Sequence, residues 1–394
     1  MHSHSICCVQ GGKTTMKFVC LQEAFKGYFL SIPDSDTAQL RACGFWNIRH
    51  YLRLGITGAL VRAATQYWDP KENLFRFNKQ EMCPLVEEFS VMMGIQFTRQ
   101  TKVAHPCLYV GPQARLFNQF NMEEAEKRFI FKQQGADMEA VLSVLRNMSP
   151  RDPRWVPLVR LMILGCFLCE QPSGFCCYRL VSLISQIDEG RSPFPVILAE
   201  TLIHLDATHS GRPEEGGSPT LLTFWLLERM GMTLDYVGKK KFNPGSIQAR
   251  VKKGGPQFEV STSVWSERLH DLEEDTVRWL SPWWDIREVL IQTGDSGVLL
   301  FGLYRFIWYR PKRFARQYGQ RQYIPDPESG LSSSHPYSEG SLDFYIRRNP
   351  GDFQYACVDP RQEFPITTPD DYQSWITAVC QGEQAQASKR RRTE

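Results

Sequence analysis

The sequence predicts a mainly α-helical fold: one large globular domain with a few short β-strands and a flexible C-terminal tail. Three observations lead to that expectation. Apolar residues recur at helical spacing, as in Leu40, Cys43, Ile48, Tyr51, Leu52, Ile56 and Leu60. Prolines stand at helix starts and glycines just past helix ends, Pro84 and Gly94 among them. Alternation of the strand type occurs in a short run, Phe75-Arg76-Phe77.

In chain order, residues 1–35 read as a loosely docked lead-in, interrupted by Gly11-Gly12, Ser31 and Pro33. The domain proper is expected over 36–325. Helical periodicity fills 36–64. Pro84 then starts a helix with Leu85, Phe89, Met92 and Met93 on its apolar face, and Gly94 stops it. Further helices are expected over 138–148, 158–169, 176–187, 195–205 and 221–230. Residues 211–219 read as a loop and 239–255 as an exposed basic loop. Ser281-Pro282, with Asp285 and Glu288 beyond, reads as a helix start with a favourable acidic first turn. Residues 294–297 turn the chain and 314–323 close the core. A linker follows over 326–335, rich in Pro, Gly and Ser. A small aromatic segment, 336–380, ends in a helix started by Thr368-Pro369-Asp370-Asp371. The polar residues 381–394 read as a disordered basic tail.

Composition narrows the class. Hydrophobic residues make up 42% and charged residues 23%, near the globular average, which excludes a wholly disordered, fibrous or collagenous chain. The 394 residues suffice for a sizeable core. A formal charge of +3 excludes a uniformly basic coat for nucleic acid. Twelve cysteines are scattered, mostly beside apolar neighbours, and residues 1–10 lack the apolar core of a secretion signal. The cysteines therefore read as reduced, buried hydrophobes of an intracellular protein. The longest apolar run, 161–169, is about half of the roughly 20 residues that cross a bilayer, so no membrane span is expected.

Four short motifs invite chemistry, and each has a plainer reading. Gly11-Gly12-Lys13-Thr14-Thr15 resembles the end of a phosphate-binding loop, but Cys7 stands where the first glycine belongs. Cys166, Cys169, Cys176 and Cys177 number enough for a zinc site, yet they lie among apolar residues and the second pair lacks the usual spacing. They read as packing, and no metal is expected. His204, Asp206 and His209 fit no metal-ligand spacing and read as a turn after a helix ending at Leu205. Asp295-Ser296-Gly297 matches the catalytic string of aspartic proteases in a single copy, and reads as a turn.

Charge layout is more informative. Lys239, Lys240, Lys241, Arg250, Lys252 and Lys253 form one acid-free segment. Arg305, Arg310, Lys312, Arg313, Arg316 and Arg321 form another, interleaved with Tyr304, Phe306, Trp308, Tyr309, Phe314 and Tyr318. Guanidinium groups among aromatic rings suit single-stranded nucleic acid. The competing reading is one core helix whose arginines pair with acids such as Glu273 and Glu274. Lys389, Arg390, Arg391 and Arg392 read as a nuclear-localisation patch.

Three stretches, taken together, resemble a known family. The first is Trp68-Asp69-Pro70 with Phe75, Phe77, Glu81, Leu85 to Phe89 and Gly94. The second contains Trp225, Glu228 and Arg229, and the third contains Gln317, Gly319, Ile324 and Pro325. In order and spacing they are similar to the plant mobile domain, a transposon-associated domain also found in nuclear proteins of the maintenance-of-meristems type. The resemblance covers roughly residues 40 to 325. Cys83-Pro84 departs from the family's threonine-rich helix start, and the cysteine-rich 166–177 segment has no counterpart in it.

The resemblance implies a non-enzymatic nuclear interaction module linked to transposon silencing or gene regulation, with a phosphatase-like protein among its partners and no cofactor. In physical terms the matched residues are mostly structural. Trp68, Phe75, Phe77, Leu85, Trp225 and Ile324 are expected to bury apolar area. Gly94 and Gly319 are expected to reverse the chain, and Glu228 and Arg229 to pair or cap. Nucleic-acid binding through 239–253 and 305–321 is the alternative function, and an aspartic-type hydrolase using Asp295 is a second.

Overall fold

The computed structural model describes residues 11–34, 37–54, 58–106, 120–211, 216–234, 241–251, 261–293, 297–325, 335–336, 353–358 and 369–393. Its first element already departs from the expected lead-in. Helix α1 (Gly11–Ser31) lines up Phe18, Leu21, Phe25 and Phe29 at spacings of three and four, and all four are buried. Phe25 stacks on Phe167 and Phe29 meets Trp46 edge-on. Gln22 donates to the Cys166 carbonyl (2.6 Å) and Tyr28 to that of Leu145 (3.1 Å). Each buried phenylalanine is worth roughly 1.5–3 kcal/mol of transfer free energy, so the stripe integrates this segment into the core.

The next stretch, expected as one helical run, is divided. Helix α2 (Ala38–Ala42), a 3-10 turn (Phe45–Asn47) and α3 (Ile48–Leu52) precede α4 (Ala59–Thr65). Gly44, at φ +80°, breaks the first two apart. A three-stranded antiparallel sheet follows, β1 (Trp68–Asp69), β2 (Leu74–Phe77) and β3 (Gln80–Met82), with Phe75 opposite Met82 and Arg76 opposite Glu81. Asn73 and Asn78 turn its corners in the left-handed region, which asparagine tolerates. Helix α5 (Val86–Met92) is buried throughout and starts with the Leu85 N–H donating to Glu88 Oε2 (2.8 Å). It stops at Gly94 (φ +80°), where a Cβ would lie 2.5 Å from Asn47 Nδ2.

The middle of the chain is helical. Helix α6 (Glu124–Ile130) leads into a second small sheet, β4 (Phe131–Lys132), β5 (Gly135–Asp137) and β6 (Phe175–Cys176). Helix α7 (Met138–Arg146) is capped by the Asp137 carboxylate, which accepts from two backbone N–H groups. Helix α8 (Trp155–Ile163) widens into a π turn (Leu164–Leu168), and α9 (Tyr178–Asp188), α10 (Phe194–His209) and α11 (Pro219–Arg229) complete the core. Helix α10 is apolar nearly all round, as befits a central helix. It continues past Leu205, so His204, Asp206 and His209 lie on helix rather than in a turn. Asp206 is within 3.5 Å of Trp68 Nε1, and His209 meets the Thr65 carbonyl.

The last third differs most from expectation. Helices α12 (Ile247–Arg250) and α13 (Thr262–His270) precede a 3-10 turn (Pro282–Trp284). Instead of a helix after Ser281-Pro282, the chain reverses at Asp285 (φ +51°) and enters strand β7 (Glu288–Thr293). Valine, isoleucine and threonine at 289, 291 and 293 suit a strand. The segment around 305–321 is not one helix. Strand β9 (Arg305–Tyr309) pairs with β8 (Val298–Phe301) and β10 (His335–Pro336), and a 3-10 run (Pro311–Tyr318) follows.

The C-terminal segment joins the body. Strand β11 (Phe353–Cys357) pairs antiparallel with β7, and α14 (Asp370–Thr393) buries Tyr372 and Ile376. The helix backbone passes the expected boundary at 380 and runs to Thr393 through the helix formers of 383–387. No helix among the described residues is long and apolar enough to cross a membrane.

Candidate functional site

The residues of the three motif stretches meet in the interior. Phe75 stacks between Phe77 (5.2 Å) and Trp225 (6.0 Å), and Trp68 meets Phe75 edge-on. Trp225 Nε1 donates to Glu88 Oε2 at 2.6 Å. Gln317 from the third stretch clasps the backbone of Cys83 in the first: its Nε2 donates to the Cys83 carbonyl and its Oε1 accepts the Cys83 N–H, both at 2.8 Å. Leu85 is buried and Gly319 (φ +79°) reverses the chain. Ile324 is the exception, 42% exposed beside a half-buried Pro325. The chain is anchored two residues earlier, where the Gln322 carboxamide holds Ala315 N and the Lys312 carbonyl, and leaves the core from there.

Two buried ion-pair networks grow from these stretches. In the inner one, Arg229 pairs with Glu88, and Glu228 takes Arg250 (2.5 Å) and Arg278 (3.0 Å). Arg229 also donates to the Arg278 carbonyl (2.8 Å) and lies over the Trp284 ring. Burial, and then the charge of Arg278, pulls the Arg229 guanidinium below its ordinary range.

The outer network weighs against the alternative nucleic-acid surface at 310–316 and agrees with the core reading in pairing these arginines with acids, although the segment is a strand and a 3-10 run and not one helix. Arg310 and Arg313 both bind Glu72 at 2.6 Å, and Arg313 binds Glu81 at 2.6 Å. Arg316 binds Glu274 at 2.5 Å and lies 3.8 Å over the Trp279 ring. Tyr309 and Phe314 are buried. Because the 3-10 run packs against the first sheet, Arg310 and Arg313 are spent on its acids, and Arg316 on Glu274. They are unsuited as a stacking platform. Tyr372 of α14 donates to Glu81 Oε2 (3.0 Å), and burial, then Glu81, pushes its hydroxyl pKa up.

Only part of the basic set stays exposed among the described residues. Lys312 donates to Gln292 and Lys241 pairs with Asp285 at 2.9 Å, both from exposed positions. Arg250 is buried. Lys239, Lys240, Lys252, Lys253 and Asp295 lie outside the described residues. Lys389, Arg390, Arg391 and Arg392 fall on the last turns of α14. Gly11-Gly12-Lys13 form the first turn of α1. Cys166, Cys169, Cys176 and Cys177 are buried, and burial pushes all four thiols up. Among the described residues no group of three or more His, Cys, Asp or Glu is arranged to hold a metal.

A cavity that the sequence did not disclose lies between α5 and the 3-10 turn at 282–284. It measures about 20 Å³ and is lined by Glu87, Val91, Phe97 and Trp284, with Gln96, Asp285, Arg287 and Glu288 toward solvent. Glu87 is 1% exposed, and its Oε1 accepts the Leu290 N–H at 2.8 Å. Burial pushes its carboxyl up to about 7. The available signal was the pair Glu87-Glu88 inside an apolar helix pattern, which places two carboxylates where burial is unavoidable. Arg278, Trp279 and Trp284 carried no such signal.

The architecture is that of a mainly α domain stapled by buried guanidinium–carboxylate networks. A family model described as a domain of unknown function (DUF7745) matches residues 39–349, and the chain belongs to that family. No curated protein and no solved structure matched the chain.

Proposed function

We propose that this chain is a non-enzymatic, transposon-derived plant nuclear protein. In this reading it is an interaction module linked to transposon silencing or gene regulation, with other nuclear proteins, a phosphatase-like one among them, as partners. The observation that carries the reading is the meeting of the three motif stretches around Glu88 and Cys83. Strings that look unrelated along the chain become one packed unit, as expected of a motif set that specifies a fold. Their polar members, Glu228, Arg229 and Gln317, are spent on partners inside the domain. Function then rests with the outer surface and the basic terminus.

The test is recovery of the tagged full chain from plant nuclei, with proteins, RNA and DNA analysed from the same sample. Nuclear enrichment that is lost when residues 389–392 become alanine, together with protein partners that withstand salt, supports the proposal. Exclusion from the nucleus overturns it. Recovery of nucleic acid that falls steeply with salt moves the function to the lysines of 239–253 instead.

A further inference from the structure

We propose that α14 is a releasable helix, and that the face it covers is a docking site for a helix of the same pattern presented by another molecule. The polar groups of that face are Asn78, Glu81, Glu274 and Arg313, all inside the family-matched residues 39–349. Helix α14 (Asp370–Thr393) lies outside them. It sits on the face through one stripe. Over residues 370–382 only Tyr372 and Ile376 are buried, one helical turn apart. Tyr372 donates to Glu81 Oε2 at 3.0 Å and Gln373 to Glu274 Oε2 at 3.1 Å. Cys380 Sγ lies 3.6 Å from the Asn78 carbonyl, and the Trp375 ring meets the Arg313 guanidinium at 5.4 Å.

Two features make this contact separable from the body. The first is electrostatic. The ions beneath the helix are paired without it: Glu81 with Arg76 and Arg313, Arg313 also with Glu72, and Glu274 with Arg316. Lifting α14 therefore leaves none of them without a counter-charge, the event that makes a buried pair costly to break. The second is size. Two buried side chains hold a segment that is otherwise half-buried or exposed over 370–382, and a helix so lightly packed opens locally before the body unfolds. Strand β11, paired with β7, fixes the chain at Cys357, so α14 returns at a local concentration on the order of millimolar. The face also defines its occupant. Glu81 and Glu274 accept hydrogen bonds, so the incoming helix must donate at two adjacent positions and carry no acid there. An aliphatic side chain four residues after the first donor takes the Ile376 position, and an aromatic ring between them faces Arg313. This holds wherever in the cell the chain acts.

The experiment has two arms, both on the full chain. In the native chain, amide exchange corrected for intrinsic rates is expected to be about tenfold or more faster over 372–380 than over α10. Equal rates, meaning that α14 opens only with the whole fold, overturn the proposal. In the second arm Ile376→Asp releases the helix, and a fluorescent peptide of residues 369–382 is the probe. It is expected to bind the released chain saturably with half-saturation below about 1 mM, since a helix docked in cis binds more tightly than its local concentration. The native chain, its face occupied, should need about tenfold or more peptide. Tyr372→Phe in the peptide should weaken binding about tenfold, the worth of one hydrogen bond to a carboxylate. No saturable binding to the released chain, equal binding to the native chain, or indifference to Tyr372→Phe overturns the proposal. So does loss of protection in α10 of Ile376→Asp, which makes α14 a part of the core.

Discussion

Arg229 and Arg313 are both guanidiniums bound to glutamates, yet they stand in different electrostatic surroundings. Arg229 faces Glu88 deep in the core with Arg278 close by, and its range is pulled down. On Arg313 burial is again the largest influence and acts downward, but Glu81 and Glu72 outweigh it and its range is raised. The outer acids are also shared: Glu81 takes Arg76 and Tyr372 as well as Arg313, and Glu72 takes Arg310. Shared partners soften the loss of any one member, and exclusive ones do not. Depth and exclusivity together should decide which network the fold depends on.

The largest expected effect tests that ordering directly. Arg229→Met leaves the Glu88 carboxyl without its counter-charge in the core, which should cost about 3–5 kcal/mol, read as a lowered urea midpoint. Glu88→Gln combined with Arg229→Met should recover much of the loss, because the glutamine oxygen still accepts from Leu85 N and Trp225 Nε1. Equal costs for Arg229→Met and Arg313→Met would show that depth does not separate the networks.

Glu87 sharpens the contrast within one helix, since its neighbour Glu88 pairs with Arg229 and Glu87 has no cation partner among the described residues. Its carboxyl is raised from 4.5 to about 7, so the folded state holds the proton more tightly than the unfolded chain. The associated stability is fully present below pH 4.5 and is lost as pH rises through 7. Over that window it amounts to about 3 kcal/mol. Glu87→Gln removes the dependence. The stability of the variant relative to the native chain should therefore climb by about that amount between pH 4.5 and pH 8, measured by urea unfolding at each pH. A difference that stays flat would mean that Glu87 is hydrated and not buried.

The outer network should respond more mildly. Arg313→Met should cost about 2 kcal/mol, less than an isolated buried pair, because Arg76 and Arg310 still neutralise the two glutamates. Tyr372→Phe removes one hydrogen bond to a carboxylate and should cost about 1–2 kcal/mol. Its separate signature is faster amide exchange over residues 370–380, where α14 docks. If Tyr372→Phe costs more than Arg313→Met, then the C-terminal helix, and not the arginine cluster, holds this face together.

Which parts were legible in the sequence follows the same division. Helices with strong apolar periodicity, such as Met138–Arg146 and Pro219–Arg229, lie close to their expected positions. The strand at Phe75-Arg76-Phe77 also stands where alternation put it. The stripe on α1 was hidden because glycines and polar residues separate its aromatics. The strand after Ser281-Pro282 was hidden because a good capping pair says where a turn begins, but not whether a helix follows. The pairing of Arg316 with Glu274 falls within the core reading of 305–321, but the partners of Arg310 and Arg313, Glu72 and Glu81, were hidden because they lie more than two hundred residues away. Acid-free runs along a chain say little about neutralisation across a fold. The Glu87 cavity was illegible for a related reason: it is built from segments that only tertiary packing brings together.

The smallest expected effects belong to the lysines, and they probe what is left of the basic surface. Lys241 pairs with Asp285 from a position whose side chain is 78% exposed, and such pairs are worth about 0–1 kcal/mol. Lys241→Ala and Lys312→Ala should each leave the urea midpoint within about 0.5 kcal/mol of the native value. That near-neutrality makes them clean probes of contact. With a short single-stranded RNA at low salt, Lys241→Ala should lower any affinity carried by the 239–253 segment and reduce the salt slope by about one. Arg313→Met should leave affinity and slope alone wherever the protein is still folded, because its guanidinium already faces Glu72 and Glu81. The reverse result, affinity lost in a folded Arg313→Met and kept in Lys241→Ala, would mean that the outer network opens to bind, and the distinction between a structural arginine cluster and a contact surface would fail.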